Sequence, residues 1–230
     1  MRVKIIFNGS KEWTKGVAES IEDKLAKSGY EIVDKNADVT ITVGGDGTVF
    51  YNLDKLEGKI LPIGTEKSGF CIPFTRALEK LEELMHSKPI RLIVLEAYTG
   101  NKMIGKAIND IVFHTVDYRL HEFSFVSKGK SYVFKGDGLV LATPLGSSSY
   151  NRSVGGPVVD RDLNVMSVSA IAPYTQFYPK VVAANEEYTV KSDSKMAVIF
   201  DGWKVIELDK PVSVTAKEKI DMLIPKRCKF

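Results

Sequence analysis

Apolar and polar residues follow two different rhythms along this 230-residue chain. From Val3 to Phe7 a compact apolar run predicts a first strand. Trp13, Val17, Ile21 and Leu25 then recur at every fourth position until Gly29, the pattern of an amphipathic helix closed by a glycine. Tyr30 to Val33 and Val39 to Val43 read as two more strands, the second alternating Val39 and Ile41 with threonines as a half-buried strand does. A short helix is expected near Val49 to Leu56 and a strand over Lys59 to Ile63. Thr75 to Ser87 would be a helix with Leu78, Leu81, Leu84 and Met85 on one face. Alternation of this kind predicts a largely parallel sheet covered by helices, with a ligand bound at the carboxyl ends of its strands.

Past Pro89 the rhythm changes to a period of two: RLIVLEAY, a TGNK turn, MIGKAINDIVFHTV, RLHEFSFVS, a KGK turn and SYVF. Later strand candidates are Val165 to Ala172, Tyr188 to Lys191, Ala197 to Phe200, Lys204 to Glu207 and Val212 to Thr215. Closely spaced strands joined by turns predict an antiparallel sandwich or layered β domain, with a boundary near residues 87 to 90.

At 44% hydrophobic residues the chain can build a real core, and 32 Lys and Arg against 29 Asp and Glu leave a net charge of only +3. These interspersed charges give no general nucleic-acid footprint. Cys71 and Cys228 are too few for a metal cage and form no CxxC, which fits a reducing cytoplasmic compartment without a structural disulfide. MRVKIIFNGS lacks the apolar region and cleavage site of a signal peptide, and no apolar run approaches the ~18 residues of a membrane span. The closing KRCKF reads as a solvated tail.

The chemistry-bearing residues fall in three places. In VGGDGTVF, residues 43 to 50, Gly44, Gly45 and Gly47 strip the turn after a strand of every Cβ that would block a ligand, leaving Asp46 projecting; a helix-capping Asp in a tight turn is the plain alternative. Asn109–Asp110 interrupts an apolar strand, a costly placement unless the pair sits at a strand end or faces a polar ligand. KGDGLVLATPLGSSSYNRSVGGPVV, residues 135 to 159, delivers a strand into a serine-rich bend suited to anions or ribose hydroxyls, with Tyr150 as a stacking ring; a surface loop is the alternative. GNKMIGKA misses the nucleotide-loop hydroxyl at Ala107 and sits in a hairpin, and Phe50 stands where the dinucleotide fingerprint needs its third glycine. His86, His114 and His121 lack metal spacing, and no metal ligand set is expected from the protein.

Taken together, from about Val39 to Gly202, these blocks resemble the NAD kinases in order and spacing. GGDGT alone is shared with diacylglycerol, sphingosine and phosphofructo-kinases, whereas the 135 to 159 block is not. The resemblance implies an α/β class fold: an N-terminal α/β (Rossmann-like) domain, residues 1–88 with 216–230, and a C-terminal β-sandwich domain, residues 89–215. It further implies phosphoryl transfer from ATP or polyphosphate to the 2′-hydroxyl of the adenosine ribose of NAD, with a divalent metal such as Mg2+. Asp46 would be the base and Gly44, Gly45, Gly47 and Thr48 would cradle donor phosphates. Asn109 and Asp110 would hold the substrate, with Ser148, Tyr150, Ser153, Asp137 and Ala172 lining its pocket. A cytoplasmic homodimer or homotetramer, binding no nucleic acid or membrane, is the implied assembly. A GGDGT-type lipid or sugar kinase and a non-catalytic NAD(P)-binding sensor are the competing readings. The chain departs from the family pattern at Leu145, at PIGTEKSGFC where only Gly69 and Phe70 are kept, and at Tyr174, Tyr178 and Trp203.

Overall fold

The computed structural model describes residues 1–117 and 119–225; Cys228 and the closing KRCKF lie outside the described residues. The chain divides into two compact units, Met1–Arg91 together with the segment from Ile220 onward, and Leu92–Lys219.

In chain order the elements begin with β1 (Arg2–Phe7), α1 (Glu12–Lys27), β2 (Glu31–Ile32), β3 (Val39–Val43), α2 (Asp46–Tyr51), β4 (Lys59–Gly64), β5 (Ile72–Pro73), α3 (Phe74–Glu79), α4 (Leu81–Met85) and β6 (Ile90–Ile93). There follow β7 (Leu95–Thr99), β8 (Lys102–Ala107), β9 (Asp110–Thr115), β10 (His121–Ser127), β11 (Lys130–Gly136), β12 (Gly138–Ala142), the single turn α5 (Tyr150–Ser153), β13 (Val165–Ile171) and β14 (Lys180–Ala183). The last are β15 (Tyr188–Ser192), β16 (Met196–Phe200), β17 (Lys204–Leu208), β18 (Val212–Thr215) and β19 (Lys219–Met222).

The first sheet runs β2-β1-β3-β4-β19-β6, with β5 also paired to β4. Its β1–β2, β1–β3, β3–β4, β4–β5 and β4–β19 pairs are parallel. Val17, Ile21 and Leu25 of α1 are buried in one cluster with Val3, Val39, Ile41 and Leu61 of the sheet, so the four-residue spacing does mark the packed face. The helix stops where Gly29 takes φ +78°. Two helices differ from expectation. The one expected near Val49 begins at Asp46, whose charge suits the first turn, and its remainder is a 3-10 turn over Leu53–Lys55. The one expected over Thr75 to Ser87 breaks at Lys80, which sits at φ −119° and ψ 30°, while Ala77, Leu81 and Met85 all stay in the core.

In the second unit two six-stranded sheets run β11-β10-β15-β18-β7-β8 and β14-β13-β12-β9-β16-β17, antiparallel throughout. Phe123, Phe125, Phe134, Val190 and Val214 from the first of these share one core with Phe113, Leu139, Leu141, Val168, Val198 and Phe200 from the second. This is a β-sandwich, and β19 then carries the chain back to the parallel sheet, as the fold class expected. GNKMIGKA is the β7–β8 hairpin, with Gly100 at φ +56° in its turn, so no helix follows to receive a phosphate.

Strand period decides what the outer face of the second sandwich sheet carries. With Ile111 and Phe113 turned into the core, Asp110, Val112 and His114 occupy the opposite face of β9. With Val198 and Phe200 inward, Ile199 of the neighbouring β16 lies beside Val112 on that same outer face.

Candidate active site

At the end of β3 the backbone turns sharply. Gly44 and Gly45 both donate their N–H to the carbonyl of Ile63, at 3.0 and 3.1 Å, and Gly45 takes φ +94° with ψ −175° before α2 begins. An L side chain is strained at such a φ, so a glycine is required there. Asp46 then projects from the first turn of α2. Its Oδ2 accepts the N–H of Gly69 at 2.7 Å, and its Oδ1 those of Phe70 and Cys71 at 3.3 and 3.2 Å. A carboxylate has about four acceptor directions, so three N–H groups leave Oδ2 with capacity to spare. Burial, and then the adjoining Asp46 carboxylate, push the Cys71 thiol well up, keeping it protonated.

Around this turn stand Lys11, whose Nζ donates to the Gly44 carbonyl at 2.6 Å, and Thr48, whose buried Oγ1 has no hydrogen-bond partner among the described residues. Ser68 folds its loop back on itself, its Oγ accepting the N–H of Thr65 at 3.1 Å. Residues 69–71 therefore supply the contacts that fix Asp46, and two of them, Gly69 and Phe70, are the positions kept in the PIGTEKSGFC stretch. Their signal in sequence was the glycine; the amides that bind the carboxylate carry no sequence label.

The second unit holds a cavity of about 390 Å³ on the outer sandwich face, lined by Asn109, Asp110, Val112, His114, Ser149, Tyr150, Ile199, Asp201 and Gly202. Asn109 and Asp110 stand at the junction where β9 begins. Asn109 Nδ2 donates to Asp110 Oδ2 at 3.1 Å. Beneath them Asp201, itself at φ +48°, accepts the backbone N–H of Ile108 at 3.0 Å and, on its other oxygen, those of Asn109 at 2.7 Å and Asp110 at 3.0 Å. The Thr143 hydroxyl donates to the Ile108 carbonyl at 2.6 Å and accepts the Gly146 N–H at 3.1 Å, tying the serine-rich bend to the same junction. Asn151 is wholly buried and bridges the Ser147 and Pro157 carbonyls while accepting from Ser169.

Burial, and then the Asp201 charge, raise Asp110 to about 7; burial raises Asp201 to about 6 against the three N–H groups that favour its charged form. Tyr150 is raised by burial and by the carboxylates of Asp110 and Asp137.

Of the substrate-binding candidates, Asn109, Asp110 and Tyr150 line this cavity. Asp137 and Ala172 are not among its lining residues but lie close to one another. The Asp137 N–H meets the Ile171 carbonyl at 3.0 Å, and Ala172 follows at φ +42°. Ser148 and Ser153 do not line it either: Ser148 is the half-buried end of the otherwise buried 3-10 turn Gly146–Ser148, and the exposed Ser153 turns its hydroxyl back to the Ser149 carbonyl. His114, Ser149 and Asp201 are lining residues that sequence reasoning did not single out. No group of three or more His, Cys, Asp or Glu among the described residues could hold a metal, and no described helix is long and apolar enough to cross a membrane.

The described residues thus carry a glycine–aspartate turn at a strand end of the parallel sheet and, in the other unit, an amide–carboxylate cavity on the sandwich. Residues 99–218 match the family described as ATP-NAD kinase C-terminal domain. An NAD kinase of Picrophilus torridus is 33% identical over 198 residues, covering 82% of this chain and 70% of that protein. One of Lactobacillus johnsonii is 31% identical over 227 residues, covering 89% and 84%. In fold, the chain is similar to an NAD kinase from Archaeoglobus fulgidus in complex with ATP, with a TM-score of 0.81 at 22% identity over 97% of this chain and 93% of that one. It is also similar to a yeast NADH kinase complexed with NADH, with a TM-score of 0.84 at 18% identity over 99% and 84%. The chain belongs to the NAD kinase family.

Proposed function

We propose that this enzyme transfers the terminal phosphoryl group of ATP to the 2′-hydroxyl of the adenosine ribose of NAD, giving NADP, with Asp46 as the base. The observation that carries the reading is the Asp46 carboxylate, clamped by three amides yet with acceptor capacity left on Oδ2. That capacity suits a hydroxyl whose proton must leave as its oxygen bonds to phosphorus, a contribution of ~10²–10⁴-fold. Support for the substrates comes from the relatives named as NAD kinases and from the fold neighbours described with ATP and with NADH.

Gly44, Gly45 and Gly47 let the donor phosphates come close to the backbone, and the unpartnered Thr48 hydroxyl fits a phosphate oxygen. Gly47 is exposed, with open space where a side chain would stand. Mg2+ fits this environment as an ion carried by the donor, since it keeps water ligands and binds phosphate oxygens rather than an all-protein cage. It would neutralise charge on the phosphates. Polyphosphate offers the same repeating chemistry and is the alternative donor. Asn109 and Asp110 present a donor and an acceptor side by side, complementary to vicinal ribose hydroxyls, and Tyr150 offers a half-exposed ring for a base. Asp137, Ser148, Ser153 and Ala172 complete the substrate surroundings in this reading. A homodimer or homotetramer working in the cytoplasm is the assembly proposed with it.

Purified protein given Mg2+, ATP and NAD should form NADP, read through a dehydrogenase specific for NADP, and Asp46→Asn should lose at least about 10²-fold of that rate. A near-normal Asp46→Asn rate would remove Asp46 from the mechanism. Absence of NADP with either ATP or polyphosphate, while NAD still binds, would favour the sensor reading.

A further inference from the structure

Asp201 comes from the end of β16, 91 residues beyond Asp110, yet it meets three consecutive amides of the Ile108–Asp110 junction. It is buried, and so is Asp110. The reverse contact is present too: the Asp201 N–H donates to the Asp110 carbonyl at 3.0 Å. We infer that Asp201 is a positioning residue for NAD: it fixes the Asn109 amide and Asp110 carboxyl in the geometry that grips a ribose diol, and this grip requires a proton to leave the Asp110–Asp201 pair.

The charge logic follows from the groups around the pair. Asp110 faces Asp201 from β16, His114 on its own strand, Tyr150 from α5, and the Asp137 charge sensed through Tyr150. Among the described residues no Lys or Arg lines the cavity, so two buried carboxylates share it without a neutralising cation from those residues. Burial raises both carboxyls, but the three N–H donors offset part of that at Asp201, so Asp110 takes up the first proton as pH falls below neutrality. A protonated Asp110 must spend a lone-pair direction on its own proton, whereas the carboxylate can accept both hydroxyls of a diol. Binding therefore expels the proton, and affinity rises with pH until the pair is already ionised.

The inference rests on the reading that this cavity takes the ribose of NAD. Its test is calorimetric titration of the intact protein with NAD between pH 5.5 and 8.5, in two buffers of different ionisation enthalpy, so that proton release is read without turnover. The native chain should release a proton on binding near pH 6 and none near pH 8.5. In Asp201→Asn, NAD affinity should fall about tenfold, because a side-chain amide cannot receive three N–H groups as a carboxylate does. Removing the Asp201 charge should also move the proton release to lower pH by about half a unit or more. A histidine changes charge in the same range, so His114→Gln is the control and should keep the release. Should Asp201→Asn melt early, Asp110→Asn decides the matter by abolishing the pH dependence of affinity. Proton release absent from the native chain, unmoved in Asp201→Asn, or lost in His114→Gln overturns the inference. A native chain that fails to bind NAD overturns the underlying reading of the cavity as well.

Discussion

Gly146→Ala tests most directly how the serine-rich bend and the Asn109–Asp110 junction depend on each other. A Cβ at residue 146 would fall 2.0 Å from the Asn109 carbonyl oxygen, 2.5 Å from its carbon and 2.9 Å from its Cα. All three neighbours are backbone, so no side chain can swing aside. Carbon and carbonyl oxygen rest about 3.3 Å apart in close protein contacts, which leaves the methyl group roughly 1.3 Å short of room. Either the bend backs away, losing the Gly146 N–H to Thr143 hydrogen bond, or Asn109 moves out of line with Asp110. Overpacking of this kind costs about 1–3 kcal/mol, and each kcal/mol lowers the melting temperature of a protein this size by about 2–4 °C. A displacement near 1 Å at a substrate-positioning group costs on the order of 10²-fold in turnover. The assays are a thermal melt and the NADP-forming rate as a function of NAD and of ATP separately. Weakened use of NAD with ATP dependence preserved is the expected result. A variant with native melting and native NAD dependence would refute the claim that this close approach positions Asn109.

Gly47→Ala should leave the melting temperature unchanged or slightly raised, because nothing lies within 4 Å of its Cβ position and alanine favours the helix. It should still weaken ATP use, and unchanged ATP kinetics would mean that no phosphate approaches that backbone. His121 lies between two carboxylates, Nε2 at 2.8 Å from Asp117 and Nδ1 at 3.1 Å from Asp193, and its pKa is raised chiefly by the Asp117 hydrogen bond. The sign follows: this contribution to stability is full below the ordinary histidine value of ~6.5 and is lost as pH rises through the higher folded value. Asp117, held low by the same bond, adds stability above the ordinary Asp value that disappears in stronger acid. Melting curves of native protein and His121→Gln should thus converge as pH rises from 6 to 8.5, and a constant gap would exclude the pair.

What local pattern encodes was legible in the sequence. The β-branched run of β3 ends where the glycines of the GGDGT region begin, so the strand and its turn could be placed together. Its alternation suggested a half-buried strand, whereas Thr40 and Thr42 are buried with the rest because β3 lies inside the parallel sheet between β1 and β4. The α1 face was legible because burial follows a helical period within one segment. Asn109–Asp110 stood out because polar residues in an apolar strand demand partners. Those partners were not legible. Asp201 reaches Ile108 across 93 residues, and the DG pair that contains it signals only a turn. Likewise the amides of Gly69 to Cys71 bind Asp46 through backbone atoms that every residue type possesses. The break at Lys80 escaped notice because the apolar spacing continues through it.

The position of β19 between β4 and β6 bears on how the chain folds as it leaves the ribosome. The sandwich is encoded by one uninterrupted stretch, Leu92–Lys219, and can close as soon as that stretch is free. The parallel sheet cannot. Its first 91 residues emerge earliest, yet a slot in their sheet stays open until residues 219–222 arrive after the whole sandwich has been made. Order of synthesis and order of completion are therefore reversed: the nascent GGDGT turn waits on an unfinished sheet, and a stalled or truncated chain that ends before residue 219 carries a closed sandwich beside an incomplete parallel sheet.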